Sequence, residues 1–169
     1  MTRWYNDGLD RGEALILAGG YGTGKTHLAR VVVHCYGDIV GVRMVGEPDM
    51  IAHIRASYGG DGPDEGMLIA GLRRSMLLVL DDVGTAHVRA ESQTWLEDIY
   101  WRIFDRRAEM RLPVLITTNL ELKPLGQRLG GKAFSRLTGM MGGKEAMMEN
   151  YVDLFGVADY RLRGGNGHN

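Results

Sequence analysis

Residues Gly19-Gly20-Tyr21-Gly22-Thr23-Gly24-Lys25-Thr26 carry the strongest chemical signal in the chain. They follow the apolar run Ala14–Ala18 and precede a helix-like run from His27 to His34. The pattern G-x-x-x-x-G-K-[ST] between a strand and a helix is that of a phosphate-binding loop. Glycines let the backbone turn tightly and aim its N–H groups at an anion, and the helix N-terminus adds further unpaired N–H groups. Gly20, Tyr21, Gly22, Thr23, Gly24, Lys25, Thr26 and His27 are therefore the expected nucleotide cradle. Lys25 would reach the β- and γ-phosphates, and Thr26 would offer its hydroxyl to Mg²⁺. The competing interpretation is a glycine-rich surface turn beside a salt-bridged lysine. The flanking strand and helix favour ATP.

Two further groups fit the same chemistry. Met76-Leu77-Leu78-Val79-Leu80 runs without alternation into Asp81-Asp82, as a parallel strand buried on both faces does. Carboxylates at the C-terminal end of such a strand stand where α/β sheets bind ligands. Asp81 is expected to hold Mg²⁺, and Asp82 to orient or deprotonate the attacking water. The alternative is a polar strand end or helix cap. Pro113-Val114-Leu115-Ile116-Thr117-Thr118-Asn119 gives a second buried strand with a polar end. Asn119 could hydrogen-bond the lytic water or the γ-phosphate, or it could close a turn through its own backbone.

The elements that must position these groups follow from periodicity. Strands are expected at 14–18, 41–45, 76–82, 113–119 and 151–155. Helices are expected at 26–36, about 48–57, 66–74, about 91–109 and 121–130. In the long helix, Trp95, Ile99, Ile103 and Arg106 form one stripe, flanked by Leu96, Tyr100 and Phe104. Arg102, Arg106 and Arg107 read as a solvated or interface face. Residues 1–13 read as a polar lead-in whose Trp4 and Tyr5 could dock at the core edge. Residues 57–66 read as a glycine- and acid-rich loop, and 164–169 as a frayed tail. The fold class is α/β: a three-layer sandwich around a central, mostly parallel sheet.

Length allows one domain with a sizeable core, 1–169. The net charge of −1 gives no global field that would draw nucleic acid or membrane. Cys35 is the only cysteine, which excludes an internal disulfide and fits a reducing compartment. It sits in an apolar stretch and reads as a buried structural thiol. No signal-like or membrane-length apolar run occurs, so the expected location is cytoplasmic.

Gly22-Thr23-Gly24-Lys25-Thr26-His27-Leu28-Ala29, Leu78-Val79-Leu80-Asp81-Asp82-Val83-Gly84, Leu112 to Leu120, Phe134-Ser135-Arg136-Leu137 and Asp159-Tyr160-Arg161 together resemble the AAA+ ATPases. More narrowly, they are similar to bacterial and phage replicative helicase loaders of the DnaC/DnaI type and to the related IstB transposition helpers. The resemblance covers most of Leu15 to Arg163. It implies that Asn119 is the sensor 1 residue and that Arg136 is an arginine finger reaching a neighbouring subunit's nucleotide. It implies that Arg161 is the sensor 2 arginine of its own site. It also implies a homo-oligomer assembled on nucleotide or DNA, and low activity as a monomer.

The family's DNA-contacting helices would fall at about 47–75. There Arg55, Arg73, Arg74 and His53 are offset by Asp61, Asp64 and Glu65, and Tyr58 is the one aromatic. Single-stranded DNA binding is therefore permitted rather than demanded. Family loaders carry an N-terminal helicase-gripping domain that this sequence does not include, so an isolated ATPase domain or a minimal form is expected. Asp82 stands where many AAA+ proteins have glutamate, one methylene longer. The leading expectation is an ATP-hydrolysing helicase loader in DNA replication, with a replicative helicase as partner. The alternatives are an IstB-like ATPase assisting transposition on double-stranded DNA and a nucleotide-gated assembly adaptor with little hydrolysis. A small kinase shares the phosphate loop, but the Thr-Thr-Asn strand end argues against it.

Overall fold

The apolar runs form five parallel strands. The computed structural model describes residues 4–36, 41–59 and 64–160. In chain order the strands are β1 (Ala14–Ala18), β2 (Val42–Gly46), β3 (Leu77–Val83), β4 (Val114–Thr118) and β5 (Tyr151–Asp153). Their spatial order is β2-β3-β4-β1-β5, and every pairing is parallel. Parallel neighbours need long crossovers, and helices supply them. After α1 (Leu9–Arg11), which precedes β1, the helices are α2 (Lys25–Cys35), α3 (Glu47–Ala56), α4 (Glu65–Arg74), α5 (Gln93–Met110), α6 (Leu122–Leu129), α7 (Gly131–Met140) and α8 (Gly143–Ala146). The register sets Gly46 beside Asp81 and Ala18 beside Thr118, so the C-terminal strand ends lie level.

Alternation along the strands builds two cores and hence three layers. Leu15, Leu17, Val79 and Leu115 pack on one face with Ala29 and Val32 of α2. Ile16, Leu80 and Ile116 pack on the other with side chains of α3 to α7. This is the expected α/β sandwich. Among the described residues no helix is long and apolar enough to cross a membrane.

Several local expectations are corrected. Cys35 is exposed, not buried. The inward stripe of α2 runs through Ala29 and Val32, with Leu28, Val33 and Tyr36 beside it. Helical phase, rather than local apolarity, turns Cys35 outward. The lead-in docks through Trp4 as expected. Trp4–Gly8 forms a π-helical turn before α1, and Trp4 is buried with its indole N–H donating to the Glu13 carbonyl at 2.9 Å. Residues 131–140, left without an element by periodicity, form α7, whose Ala133, Leu137 and Met140 face the core. Glycines at both ends of that segment hide its helical spacing.

The stripe of α5 runs one residue from where it was expected. Leu96, Ile99, Tyr100, Ile103 and Phe104 are buried, and Arg107 continues the same stripe at 0% exposure. Arg107 is not on a solvated face. Its guanidinium donates to the Leu72 carbonyl at 2.8 Å, to Ser75 Oγ at 3.0 Å and to the Pro113 carbonyl at 2.6 Å. Burial lowers its pKa to about 9, so the charge persists at neutral pH. One side chain thus ties the end of α4 to the start of β4. Arg107→Ala should cost about 3 kcal/mol by leaving buried carbonyls unpaired and opening a cavity. The expected outcome is a fall of roughly 6–12 °C in thermal midpoint, measured by calorimetry. A fall of less than about 2 °C would show that these bonds contribute little.

Candidate nucleotide site

The phosphate loop joins β1 to α2, and its backbone depends on glycine. Gly22 has φ +70° and Gly24 φ +88°, the left-handed region that side chains disfavour. At Gly22 a Cβ would also lie 1.7 Å from Asp159 Oδ1. The 154–160 segment returns across the loop there, and the Tyr160 N–H donates to the Gly22 carbonyl at 3.0 Å. Lys25 is 5% exposed. Its Nζ donates to the carbonyls of Gly19 at 2.9 Å and Gly20 at 2.6 Å, and Thr23 Oγ1 donates to the Gly20 carbonyl at 3.0 Å. The ammonium is thus held inside the loop. A phosphate oxygen is a stronger acceptor for it than a neutral carbonyl.

Asp81 ties three elements together. Its Oδ1 accepts from Thr26 Oγ1 at 3.0 Å and from Thr117 Oγ1 at 2.5 Å. Thr117 Oγ1 in turn accepts the Asp82 N–H at 2.9 Å. The first residue after the loop lysine, the end of β3 and the end of β4 therefore meet at one carboxylate. Thr26 and Asp81 supply hard oxygen donors, which suits Mg²⁺ completed by phosphate and water ligands. Among the described residues no group of three or more His, Cys, Asp or Glu could hold a metal alone. A shared protein–phosphate site for the ion agrees with that donor set.

Asp82 is built differently. Its φ is +54°, and the β3–β4 register is irregular between Leu80 and Val83. Its carbonyl accepts from the Thr85 N–H at 3.2 Å and from Thr85 Oγ1 at 2.7 Å. This tight turn presents Asp82 toward the cleft beside Asn119. Thr118 clamps the neighbouring strand end: its Oγ1 donates to the Val83 carbonyl at 2.7 Å and accepts the Leu120 N–H at 3.0 Å.

One cleft of about 530 Å³ gathers Tyr21, Lys25, Thr26, Asp81, Asp82 and Asn119. Gly22, Gly24 and His27 also line it, while Gly20 and Thr23 lie within the loop that forms its wall. Arg30, Thr85 and Tyr160 line it as well, and periodicity alone does not single them out. Thr117 was visible only as part of a polar strand end. Arg136 lies elsewhere, on α7. Its Nε pairs with Asp105 at 2.7 Å, beside a separate cavity of about 620 Å³ between α5 and α7. It does not join its own chain's cleft. Arg161 and the expected tail lie outside the described residues.

The comparisons agree with this geometry. Residues 7–139 match the family model for IstB-like ATP binding proteins. An ATP-binding protein of an insertion sequence in Mycobacterium tuberculosis is 30% identical over 118 residues, which span 69% of this chain and 43% of that relative. The DnaC helicase loader superposes with a TM-score of 0.65 at 22% identity, over 91% of this chain and 84% of that one. AMPPCP-bound DnaA from Aquifex aeolicus gives a TM-score of 0.66 at 18% identity, over 80% and 42%. At these identities the two structural matches establish the AAA+ fold alone.

Thr117→Val keeps the shape but removes both hydrogen bonds that orient Asp81 and the Asp82 N–H. With Mg²⁺ present, ATP should bind about tenfold more weakly, a loss of roughly 1.4 kcal/mol. With chelator present, wild type and variant should bind alike. Lys25→Ala should weaken binding under both conditions. Calorimetric titration with and without Mg²⁺ reads all three outcomes, and identical Mg²⁺-dependent affinities for Thr117→Val and wild type would refute the relay.

Proposed function

Because the chain belongs to the family of IstB-like ATP-binding proteins, we propose that it is a Mg²⁺-dependent ATPase that assembles on DNA to assist transposition. The observation that carries the chemistry is the convergence of Lys25, Thr26, Asp81, Asp82 and Asn119 on one cleft. The family match and the insertion-sequence relative favour transposition over helicase loading, whose support is a shared fold at 22% identity. The chain spans less than half of that relative's length, so the DNA and protein partners belong to the proposal. Those partners are double-stranded DNA and a transposase.

ATP lies with its phosphates on the loop. Lys25 balances charge on the β- and γ-phosphates, and the loop N–H groups receive the remaining oxygens. Thr26 and Asp81 would hold Mg²⁺, which when bound neutralises charge developing on the phosphoryl oxygens. Asp82 and Asn119 orient the attacking water. The proton of that water passes to Asp82 Oδ as the water oxygen bonds to the γ-phosphorus and the β–γ bridge breaks, releasing ADP and phosphate.

Arg136 is exposed and outside its own cleft, an arrangement that suits action on a second copy's nucleotide. Its pair with Asp105 is more than half exposed on the arginine side. Such pairs contribute about 0–1 kcal/mol, so a neighbour's triphosphate can displace the aspartate at small cost. Arg136→Ala should leave ATP affinity within about twofold while lowering DNA-stimulated turnover by about 10³-fold. Equal turnover of wild type and variant in the assembled state would reject the role in trans. Stimulation by single-stranded but not double-stranded DNA, with co-purification of a replicative helicase, would favour the loader reading instead.

A further inference from the structure

Glu47 is a buried carboxylate that the nucleotide chemistry does not use directly. It begins α3, directly after β2, at 0% exposure. Its Oε2 accepts the N–H groups of Gly84 at 3.0 Å and Ala86 at 3.1 Å. Arg128 of α6 grips both oxygens, Nε to Oε1 at 2.9 Å and Nη2 to Oε2 at 2.7 Å. The same Nη2 donates to the Ala86 carbonyl at 2.8 Å, and the Tyr100 hydroxyl donates to Oε1. A buried charge is costly unless it is paired and its lone pairs are filled. Here both conditions are met, and two of the donors are backbone amides of the segment that follows Asp82.

That segment is where the strain lies. A left-handed conformation is disfavoured at a non-glycine residue, and Asp82 adopts it at φ +54°. It persists only if its surroundings over-determine it. Thr117 holds the Asp82 N–H, Thr85 holds its carbonyl, and Glu47 holds the next two available amides. If the Glu47 bonds are released, Asp82 can relax to negative φ, which re-aims its carboxylate. Burial and the adjacent Glu47 charge push the Tyr100 hydroxyl well above the usual phenol range, so it remains a donor. Burial alone would lower the Arg128 pKa, but its bonds and proximity to Glu47 raise it on balance.

We infer that Glu47 and Arg128 are positioning residues for Asp82: their buried ion pair holds the 82–86 turn in the strained form that aims this carboxylate at the attacking water. The inference rests on the ATPase reading above. Glu47→Gln keeps the volume and removes the charge, while Arg128→Lys keeps the charge and removes the fork. Both variants and Arg107→Ala, a buried-arginine control remote from the cleft, are compared with wild type by three measurements. These are ATP affinity, turnover per bound ATP, and amide hydrogen exchange of the 82–88 segment.

For Glu47→Gln, exchange at 84 and 86 should rise and turnover fall, each by about tenfold, with affinity within about twofold. Arg128→Lys should fall between Glu47→Gln and wild type. Arg107→Ala should lose thermal stability while keeping wild-type turnover at low temperature. Unchanged exchange at 84 and 86 in both Glu47→Gln and Arg128→Lys overturns the inference, as does unchanged turnover despite faster exchange. If the wild type binds ATP but never hydrolyses it, the ATPase reading fails, while the exchange measurement still decides whether Glu47 holds the turn. If Glu47→Gln does not fold, Arg128→Lys decides both points.

Discussion

The site depends on the hydrogen bonds that converge on Asp81 Oδ1. A single oxygen accepts hydroxyls from Thr26 and Thr117, which come from α2 and β4, while Asp81 itself lies near the C-terminal end of β3. The loop, β3 and β4 are thereby locked at the C-terminal edge of the sheet. The parallel register makes this possible, because it levels the strand ends to within a side chain's reach. A slip of one residue in β4 would turn Thr117 to the opposite face and break the lock. The chemistry is therefore a property of the sheet as much as of the loop motif.

Much of this was legible in the sequence. β1 runs from Ala14 to Ala18, as its apolar composition and the loop after it require, and α4 and α6 begin and end within about two residues of their expected bounds. Tyr21, Lys25, Thr26, Asp81, Asp82 and Asn119 are readable because each sits in the loop motif or near a strand end, where position and polarity coincide. What could not be read depends on tertiary phase. The exposure of Cys35 and the burial of Arg107 follow from helical phase, which local composition does not report. Glu47 and Arg128 are 81 residues apart and have no local signature. Only the folded chain makes an ordinary helix-start glutamate the acceptor of five hydrogen bonds.

The relation between family and fold also separates two levels of specificity. The fold is shared with proteins at about 20% identity. The α5–α7 face, with Trp101, Lys132 and Arg136 around its cavity, lies apart from that fold-determined cleft.

Gly22 has a consequence for how the loop can change over evolutionary time. The glycine is required by its left-handed φ, and independently by the Asp159 side chain that occupies the space a Cβ would need. Relief of either restriction leaves the other in force. A substitution at 22 would have to be accompanied both by a new loop conformation and by withdrawal of the returning 154–160 segment. Two simultaneous changes at distant positions make this an isolated peak in sequence space. The glycine so often credited to phosphate is, in this chain, also a docking site for the chain's own later residues.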